Sequence, residues 1–269
     1  MAFNEEQVQR YARHIVLREV GAKGQEKLSN AKVLVVGAGG LGSPSLLYLA
    51  AAGVGMIGVV DDDVVDLSNL QRQVVHLTSR IGIPKVESAA ATLADINPDV
   101  HVVCHNERLG ADNVRTLFKD YDLIADGSDN FPTRFLVNDA CYFLRKPLVT
   151  AAVLRFDGQL ATFRAYEEGN HPCYRCIFRE PPPPGTVPSC AEGGVFGSIA
   201  GVMGTIQATE VIKELLDIGD SLDGHMLIYD GLEGSFRKIA IARDSDCPLC
   251  GDRPTINIIE EAGIDACAS

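Results

Sequence analysis

Two groups of residues in this sequence have types and spacings that could do chemistry. Cys173-Tyr174-Arg175-Cys176 and Cys247-Pro248-Leu249-Cys250 are C-x-x-C pairs far apart in the chain. Four thiolates presented from two tight turns suit tetrahedral zinc, and a site whose four positions are all filled by protein is closed and structural. Such a site would staple the 173–176 loop to the C-terminal region. The alternative, two independent redox pairs, needs a thioredoxin-like strand and helix that neither pair has nearby. The second group is Gly37-Ala38-Gly39-Gly40-Leu41-Gly42, which follows the apolar run Val33-Leu34-Val35-Val36 and opens a helix-like segment. Glycines there permit a tight turn and let backbone approach a phosphate, while the new helix N-terminus aims free N–H groups at the anion. A further apolar run, Ile57-Gly58-Val59-Val60, ends in Asp61, about 20 residues beyond the glycines, where such folds place a ribose-binding acid. The reading is a nucleotide site; the alternative is a glycine turn that serves only packing.

Polar residues gather at the same end of the expected strands. The segment Asp61-Asp62-Asp63-Val64-Val65-Asp66-Leu67-Ser68-Asn69-Leu70-Gln71-Arg72-Gln73 has no helical or alternating period and reads as a functional loop. Its three consecutive acids repel one another, a cost that a polar or cationic ligand would relieve. Ala125-Asp126-Gly127-Ser128-Asp129-Asn130 is a second acidic turn at a strand end, which brings Asp129 to the same rim as Asp61. Cys190 lies in Pro188-Ser189-Cys190-Ala191-Glu192-Gly193-Gly194, a loop cysteine that either acts or is incidental. No histidine stands beside it to lower a thiol pKa of about 8.5. Cys104 on a strand and Cys141 on a helix are expected in the core, and Cys267 on a frayed tail. No histidine pair on a helix and no G-x-S-x-G elbow is present, so metal-hydrolase and serine-hydrolase readings fail.

The elements that must position these groups follow from periodicity. Asn4 can cap a helix with Gln7 at its third position, and Val8, Tyr11, Ala12, Ile15 and Val16 recur at helical spacing. Arg10 and Arg13 fall off that stripe and read as a solvated face. A short helix at Gln25 to Leu28 precedes the first strand, and Ser43 to Ala52 forms a helix ending at Gly53. A helix that begins in Pro84-Lys85-Val86-Glu87-Ser88 and runs to Asp95 or Ile96, a strand at Val100 to Cys104, a helix at Ala111 to Lys119, a strand at Leu123 to Ala125 and a helix from about Phe131 to Arg145 continue the alternation. Alternating strands and helices imply a parallel sheet with ligands at the strands' carboxyl ends. Beyond Pro147 the pattern becomes a hairpin, Leu148 to Val153 and Gly158 to Phe163, around Asp157-Gly158. Val195 to Leu216 reads as a buried core helix, followed by strands at Met226 to Tyr229 and Phe236 to Ala242. The fold class is therefore α/β, a Rossmann-like nucleotide-binding fold whose mixed, mostly parallel sheet is extended by C-terminal antiparallel strands. A chain of 269 residues can build one large domain of this kind or two small ones. The net charge of −12 leaves no basic footprint for nucleic acid or an anionic membrane. No signal pattern and no bilayer-length apolar run is present, so the chain reads as cytoplasmic, and its eight cysteines as metal or thiol chemistry.

The glycine turn, the 61–73 loop, Lys85, the Asp126 to Asn130 turn and both cysteine pairs together resemble the ThiF/MoeB family, the bacterial relatives of ubiquitin-activating enzymes. The similarity runs from Tyr11-Ala12-Arg13-His14 to Cys250, and Ser68-Asn69-Leu70-Gln71-Arg72-Gln73 is specific to the family. It implies one adenylation domain over residues 1–269, with a nucleotide-binding part at about 30–150, a carrier-binding and zinc part at about 151–252, and a short tail at 253–269. The implied reaction joins the C-terminal Gly-Gly carboxylate of a ubiquitin-like sulfur carrier protein to the α-phosphate of ATP and releases pyrophosphate, preparing a thiocarboxylate. Molybdopterin synthesis is the expected pathway and the thiamin-pathway carrier the alternative. By resemblance Gly37, Gly39, Gly40, Gly42, Asp61, Asp63, Asn69, Arg72, Gln73, Lys85, Asp129 and Asn130 surround the nucleotide. Asp61 takes the ribose hydroxyls, Asn69, Arg72 and Lys85 the phosphates, and Asp129 a Mg²⁺ ion; Asp63 has no sharper role. Arg13 matches an arginine that relatives supply across a homodimer interface to the other subunit's phosphates. Cys190 matches a cysteine that some relatives use for thioester or persulfide chemistry and others do not need. Only a short acidic tail follows Cys250, so sulfur is expected from a separate cysteine desulfurase or rhodanese. Two rivals remain: an NAD-dependent dehydrogenase, which gives no reason for Arg72, Lys85 and Asp129 to converge, and a non-catalytic zinc-stapled binding scaffold.

Overall fold

Eight strands form a single sheet in the order β3-β2-β1-β4-β5-β6-β7-β8 in the computed structural model, which describes residues 3–183, 186 and 193–260. The strands are β1 (Lys32–Val36), β2 (Met56–Val60), β3 (His101–His105), β4 (Leu123–Asp126), β5 (Leu148–Leu154), β6 (Asp157–Phe163), β7 (His225–Asp230) and β8 (Ser235–Ala240). β1 to β5 pair in parallel and β5 to β8 antiparallel, the mixed sheet expected from the change of pattern beyond Pro147. The helices among the described residues are α1 (Glu5–Arg10), α2 (Ala12–Ile15), α3 (Gly21–Asn30), α4 (Gly42–Ala52), α5 (Lys85–Ile96), α6 (Val114–Phe118), α7 (Phe131–Leu144), α8 (Tyr174–Ile177) and α9 (Gly197–Leu216).

Strand side chains alternate between faces, so the continuous apolar run of β1 serves two cores at once. Val33 and Val35 join Leu46 and Leu49 of α4, Leu93 of α5 and Met203 and Val211 of α9 on one side. Leu34 and Val36 join Phe118 of α6 and Phe135 of α7 on the other. With both faces of the parallel strands covered, the strand ends remain as the open surface.

Several local expectations are corrected by long-range packing. The first helix breaks at Tyr11, which is buried and accepts a 2.8 Å hydrogen bond from Asn97 Nδ2, and Val16 of the expected apolar stripe is 76% exposed. The Asn4–Gln7 capping box is formed as read. α3 is longer than Gln25 to Leu28 and α6 shorter than Ala111 to Lys119. The hairpin turns at Arg155-Phe156 and not at Asp157-Gly158, since Leu154 pairs with Asp157 and Val153 with Gly158. Gly158 is a strand residue lacking a side chain because a Cβ there would lie 2.4 Å from Met203 Cγ of α9. Cys141 is buried as expected, but Cys104 is exposed, because β3 is the sheet's edge. His101 and His105 stand four apart, but on a strand that spacing spans about 13 Å, too far to share a metal. Among the described residues no helix is long and apolar enough to cross a membrane. Cys190, Cys267 and most of the loop around Cys190 lie outside the described residues.

Candidate functional site

The glycine turn joins β1 to α4 at the carboxyl end of the sheet. Gly37 has φ +90°, which an L side chain rarely tolerates, and its N–H donates to Val60 O at 2.9 Å. Gly42 serves packing: a Cβ there would sit 1.8 Å from Gly37 O. Gly39 and Gly40 lie between these anchors; a Cβ on Gly39 would come within 3.8 Å of Gln73 Nε2 and one on Gly40 within 3.4 Å of Ala200 Cβ.

Asp61, at the end of β2, closes onto the turn. Its Oδ2 accepts from Ala38 N–H at 2.8 Å and its Oδ1 from Asp63 N–H at 3.0 Å. Burial raises its pKa, and Lys85 opposes that shift. Lys85 begins α5 and is itself buried, with Nζ 2.6 Å from Asp63 Oδ2 and 4.0 Å from Asp61 Oδ1. The acidic run thus has a built-in cation, and Asp63 acquires a definite contact. In the loop between them, Arg72 donates from Nη1 to Ser68 O at 3.0 Å, and its stem lies within 3.5 Å of where a Cβ on Gly40 would be. Gln73 is buried with Oε1 lacking a protein partner. Asn69 caps its own turn, its Oδ1 accepting from Asp66 N–H at 3.3 Å.

The turn after β4 supplies the facing rim. Asp126 is buried; its Oδ1 accepts from Ser128 N–H at 3.0 Å and its Oδ2 from Thr150 Oγ1 at 2.8 Å. Arg134 of α7 donates to Ser128 O and, at 2.7 Å, to Ala151 O, tying the turn to β5. Asn130 caps α7 by accepting from Thr133 N–H at 2.9 Å. Asp129 is exposed at the rim, with Asn130 Nδ2 at 3.4 Å.

These elements enclose a cavity of about 530 Å³ lined by Gly37, Gly39, Gly40, Asp61, Asp63, Arg72, Gln73, Lys85 and Asp129 at its polar end. Its other wall is mostly apolar and comes from later in the chain: Ala152, Val153 and Leu154 of β5, Ile228 of β7, Tyr174 and Phe178. Gly42, Asn69 and Asn130 do not line it; each has the structural task just described. Arg13 is exposed on α2, outside the cavity.

Three features escaped the sequence reading: the apolar wall, Arg134, and His76. Arg134 follows Asn130 by four residues on α7, a spacing that would have placed it over the turn. His76 is buried behind the glycine turn, with Nε2 2.9 Å from Ala38 O and Nδ1 2.9 Å from Ser88 Oγ.

The four cysteines of the two pairs meet in a second cluster. Their sulfur–sulfur separations include 3.6 Å for Cys173–Cys247, 4.0 Å for Cys173–Cys176, 3.4 Å for Cys176–Cys250 and 3.5 Å for Cys173–Cys250. A tetrahedron with zinc–sulfur bonds of about 2.3 Å has edges of about 3.8 Å. The cluster fits that ion in ligand type, number and size. Cys176 Sγ also accepts from the Cys173 and Asp244 backbone N–H groups, both at 3.4 Å, contacts that favour a thiolate.

The model of the ThiF family matches residues 11–249. A sulfur carrier protein adenylyltransferase of Thermus thermophilus is 52% identical over 257 residues, covering 95% of each chain. The SAMP-activating enzyme E1 of Haloferax volcanii is 48% identical over 268 residues, covering 100% of this chain and 98% of that protein. Among solved structures, E. coli MccB with MccA-N7isoASN superposes with a TM-score of 0.77 at 23% identity, over 92% of this chain and 76% of that one; the likeness is one of fold.

Proposed function

This chain belongs to the ThiF family, and from that premise we propose that it is an adenylyltransferase acting on the C-terminal Gly-Gly carboxylate of a ubiquitin-like sulfur carrier protein, with ATP as co-substrate. The observation that carries the reading is a single cavity joining a polar, cation-bearing end to a mostly apolar wall among the described residues. A triphosphate suits the first and an extended, side-chain-poor protein tail the second. The similarity to the sulfur carrier protein adenylyltransferase of Thermus thermophilus supports the choice of substrate, and the carrier of molybdopterin synthesis is the first candidate.

In this reaction a carboxylate oxygen bonds to the α-phosphorus of ATP, and the bond from that phosphorus to the bridging oxygen breaks. Pyrophosphate leaves with the electron pair, and no proton changes hands. The protein therefore needs to orient the reactants and offset charge, and it needs no nucleophile of its own. Gly37, Gly39 and Gly40 let the phosphates approach the backbone. Asp61 accepts from the ribose hydroxyls with the lone pairs that Ala38 and Asp63 leave free. Arg72 and Lys85 neutralise the phosphates, Gln73 completes the nucleotide's surroundings, Asn69 and Asn130 hold the turns that present Arg72 and Asp129, and Asp63 holds Lys85 in place between turnovers. Asp129, an exposed carboxylate with one weak partner, is a suitable oxygen ligand for Mg²⁺, which when bound offsets phosphate charge. The four-cysteine site holds a structural Zn²⁺ that secures the carrier-binding part, about 151–252, to the rest of the domain; the nucleotide-binding part is about 30–150. Arg13, exposed and outside its own chain's cavity, serves the partner subunit of a homodimer. Cys190 is assigned to the sulfur-transfer stage, with sulfur delivered by a separate donor protein.

The test is ATP–pyrophosphate exchange with a purified Gly-Gly carrier. Exchange that depends on the intact carrier C-terminus is expected; no exchange, together with tight NADH binding, would return the dehydrogenase reading.

A further inference from the structure

The Ala38 peptide groups are clamped from both sides by residues of different elements. Ala38 N–H is taken by Asp61 Oδ2 at 2.8 Å, and Ala38 C=O by His76 Nε2 at 2.9 Å. A carbonyl can only accept, so His76 carries its proton on Nε2, and Nδ1 accepts from the Ser88 hydroxyl at 2.9 Å. In a trans peptide the carbonyl and the following N–H point in opposite directions. Holding Ala38 C=O against the buried imidazole therefore turns Gly39 N–H the other way, on the residue that lines the cavity. Gly39 N–H has no protein acceptor among the described residues. Ser88 stands three residues after Lys85 on α5, so the same imidazole links the glycine turn to the helix that presents Lys85.

We propose that His76 is a positioning residue for nucleotide binding: it sets the Ala38–Gly39 peptide so that Gly39 N–H donates to a phosphate, and holds that donor in register with the Lys85 ammonium. The inference rests on the nucleotide reading of the cavity. It assigns His76 no proton transfer and no contact with substrate.

Calorimetric titration of the whole protein with ATP and, separately, with adenosine tests it. Wild-type protein that binds neither would remove the nucleotide reading itself. Given wild-type binding, His76→Leu should weaken ATP by roughly tenfold or more, because one aligned backbone donor to the anion is lost, and leave adenosine within about twofold. His76→Gln, whose amide nitrogen reaches the same place, should restore ATP affinity to within about threefold. Equal loss of ATP and adenosine would reduce His76 to a packing residue, and undiminished ATP affinity in His76→Leu would overturn the assignment outright. Should that variant fail to fold, nitrogen-15 NMR of the wild-type imidazole near neutral pH decides. The Nε2–H tautomer is expected, and Nδ1–H would leave Ala38 C=O without its donor and refute the proposal.

Discussion

Lys85 and Asp63 are an unequal pair: the ammonium side chain is 7% exposed and the carboxylate 67%. A buried cation with a largely solvated partner can release that partner to a phosphate at little cost, whereas an ion pair buried on both sides could not. Arg72 is half-buried, with one hydrogen bond to its own loop, so its loss should spare the fold. Arg72→Ala and Lys85→Ala are each expected to lower carrier-dependent ATP–pyrophosphate exchange on the order of a hundredfold, with circular dichroism unchanged. Normal exchange in both would sink the assignment of the cavity's polar end. His76 gives a pH signature. Burial, with the Lys85 and Arg80 cations adding to it, depresses its pKa below the ordinary 6.5, against the opposing hydrogen bond to Ala38. The unfolded chain then takes up a proton before the folded one does. The stability contributed by neutral His76 is full above about pH 6.5 and is lost as pH falls from there through the lower folded-state value. A melting temperature that declines over this acid range in wild type, and less steeply in His76→Gln, is the expected result.

At the scale of elements, the glycine turn and the cysteine cluster both hold backbone by something other than a regular ladder. Gly42 has no ligand to touch; the space for its Cβ is already filled by Gly37 O at 1.8 Å. Gly42→Ala should cost about 3 kcal/mol of stability by displacing the turn, read as a lowered urea midpoint, before any question of activity arises. The cysteine cluster joins α8 to the segment beyond β8. Four thiolates on zinc can contribute roughly 10 kcal/mol of apparent binding free energy, comparable to a whole domain's stability. One zinc per chain by elemental analysis is expected, with a chelator lowering the melting temperature. A metal-free protein whose melting is unchanged by chelator would exclude the site.

For the molecule as a whole, the parallel half of the sheet presents the nucleotide end and the antiparallel half builds the apolar wall, so the cavity exists only where the two halves of the sheet meet at β5. Arg13 stands apart from it, on an exposed turn of helix. If Arg13 acts in the partner's site, a chain bearing Arg13→Ala and one bearing Asp129→Ala are each inactive alone, and mixing them regenerates one intact site per mixed dimer. Recovery of roughly a quarter of wild-type exchange after random re-pairing is the expected outcome, alongside a dimer by sedimentation. No recovery, or a monomer, would end the across-subunit role.

The sequence by itself determined whatever is encoded in local spacing. The Asn4–Gln7 cap, the strand-turn-helix at Gly37 to Gly42, the shared rim of Asp61 and Asp129, and the four-cysteine pairing were all legible, because each depends on a short-range pattern or on the rule that ligands gather at parallel strand ends. Tertiary structure alone decided the rest. Asp157-Gly158 is an acceptable turn dipeptide, but Met203 of α9 occupies the space beside Gly158, and pairing across β5 and β6 moves the turn to Arg155-Phe156. Tyr11 looked like one member of a continuous helical stripe, but its hydroxyl is wanted by Asn97, 86 residues away, and the helix breaks to deliver it. Cys104 faces solvent because no strand lies beyond β3, a fact of strand order that no local window contains. His76 carries no motif of its own; its role arises from Ala38 and Ser88, residues brought to it from opposite sides by two different elements, and only the folded chain places those three together.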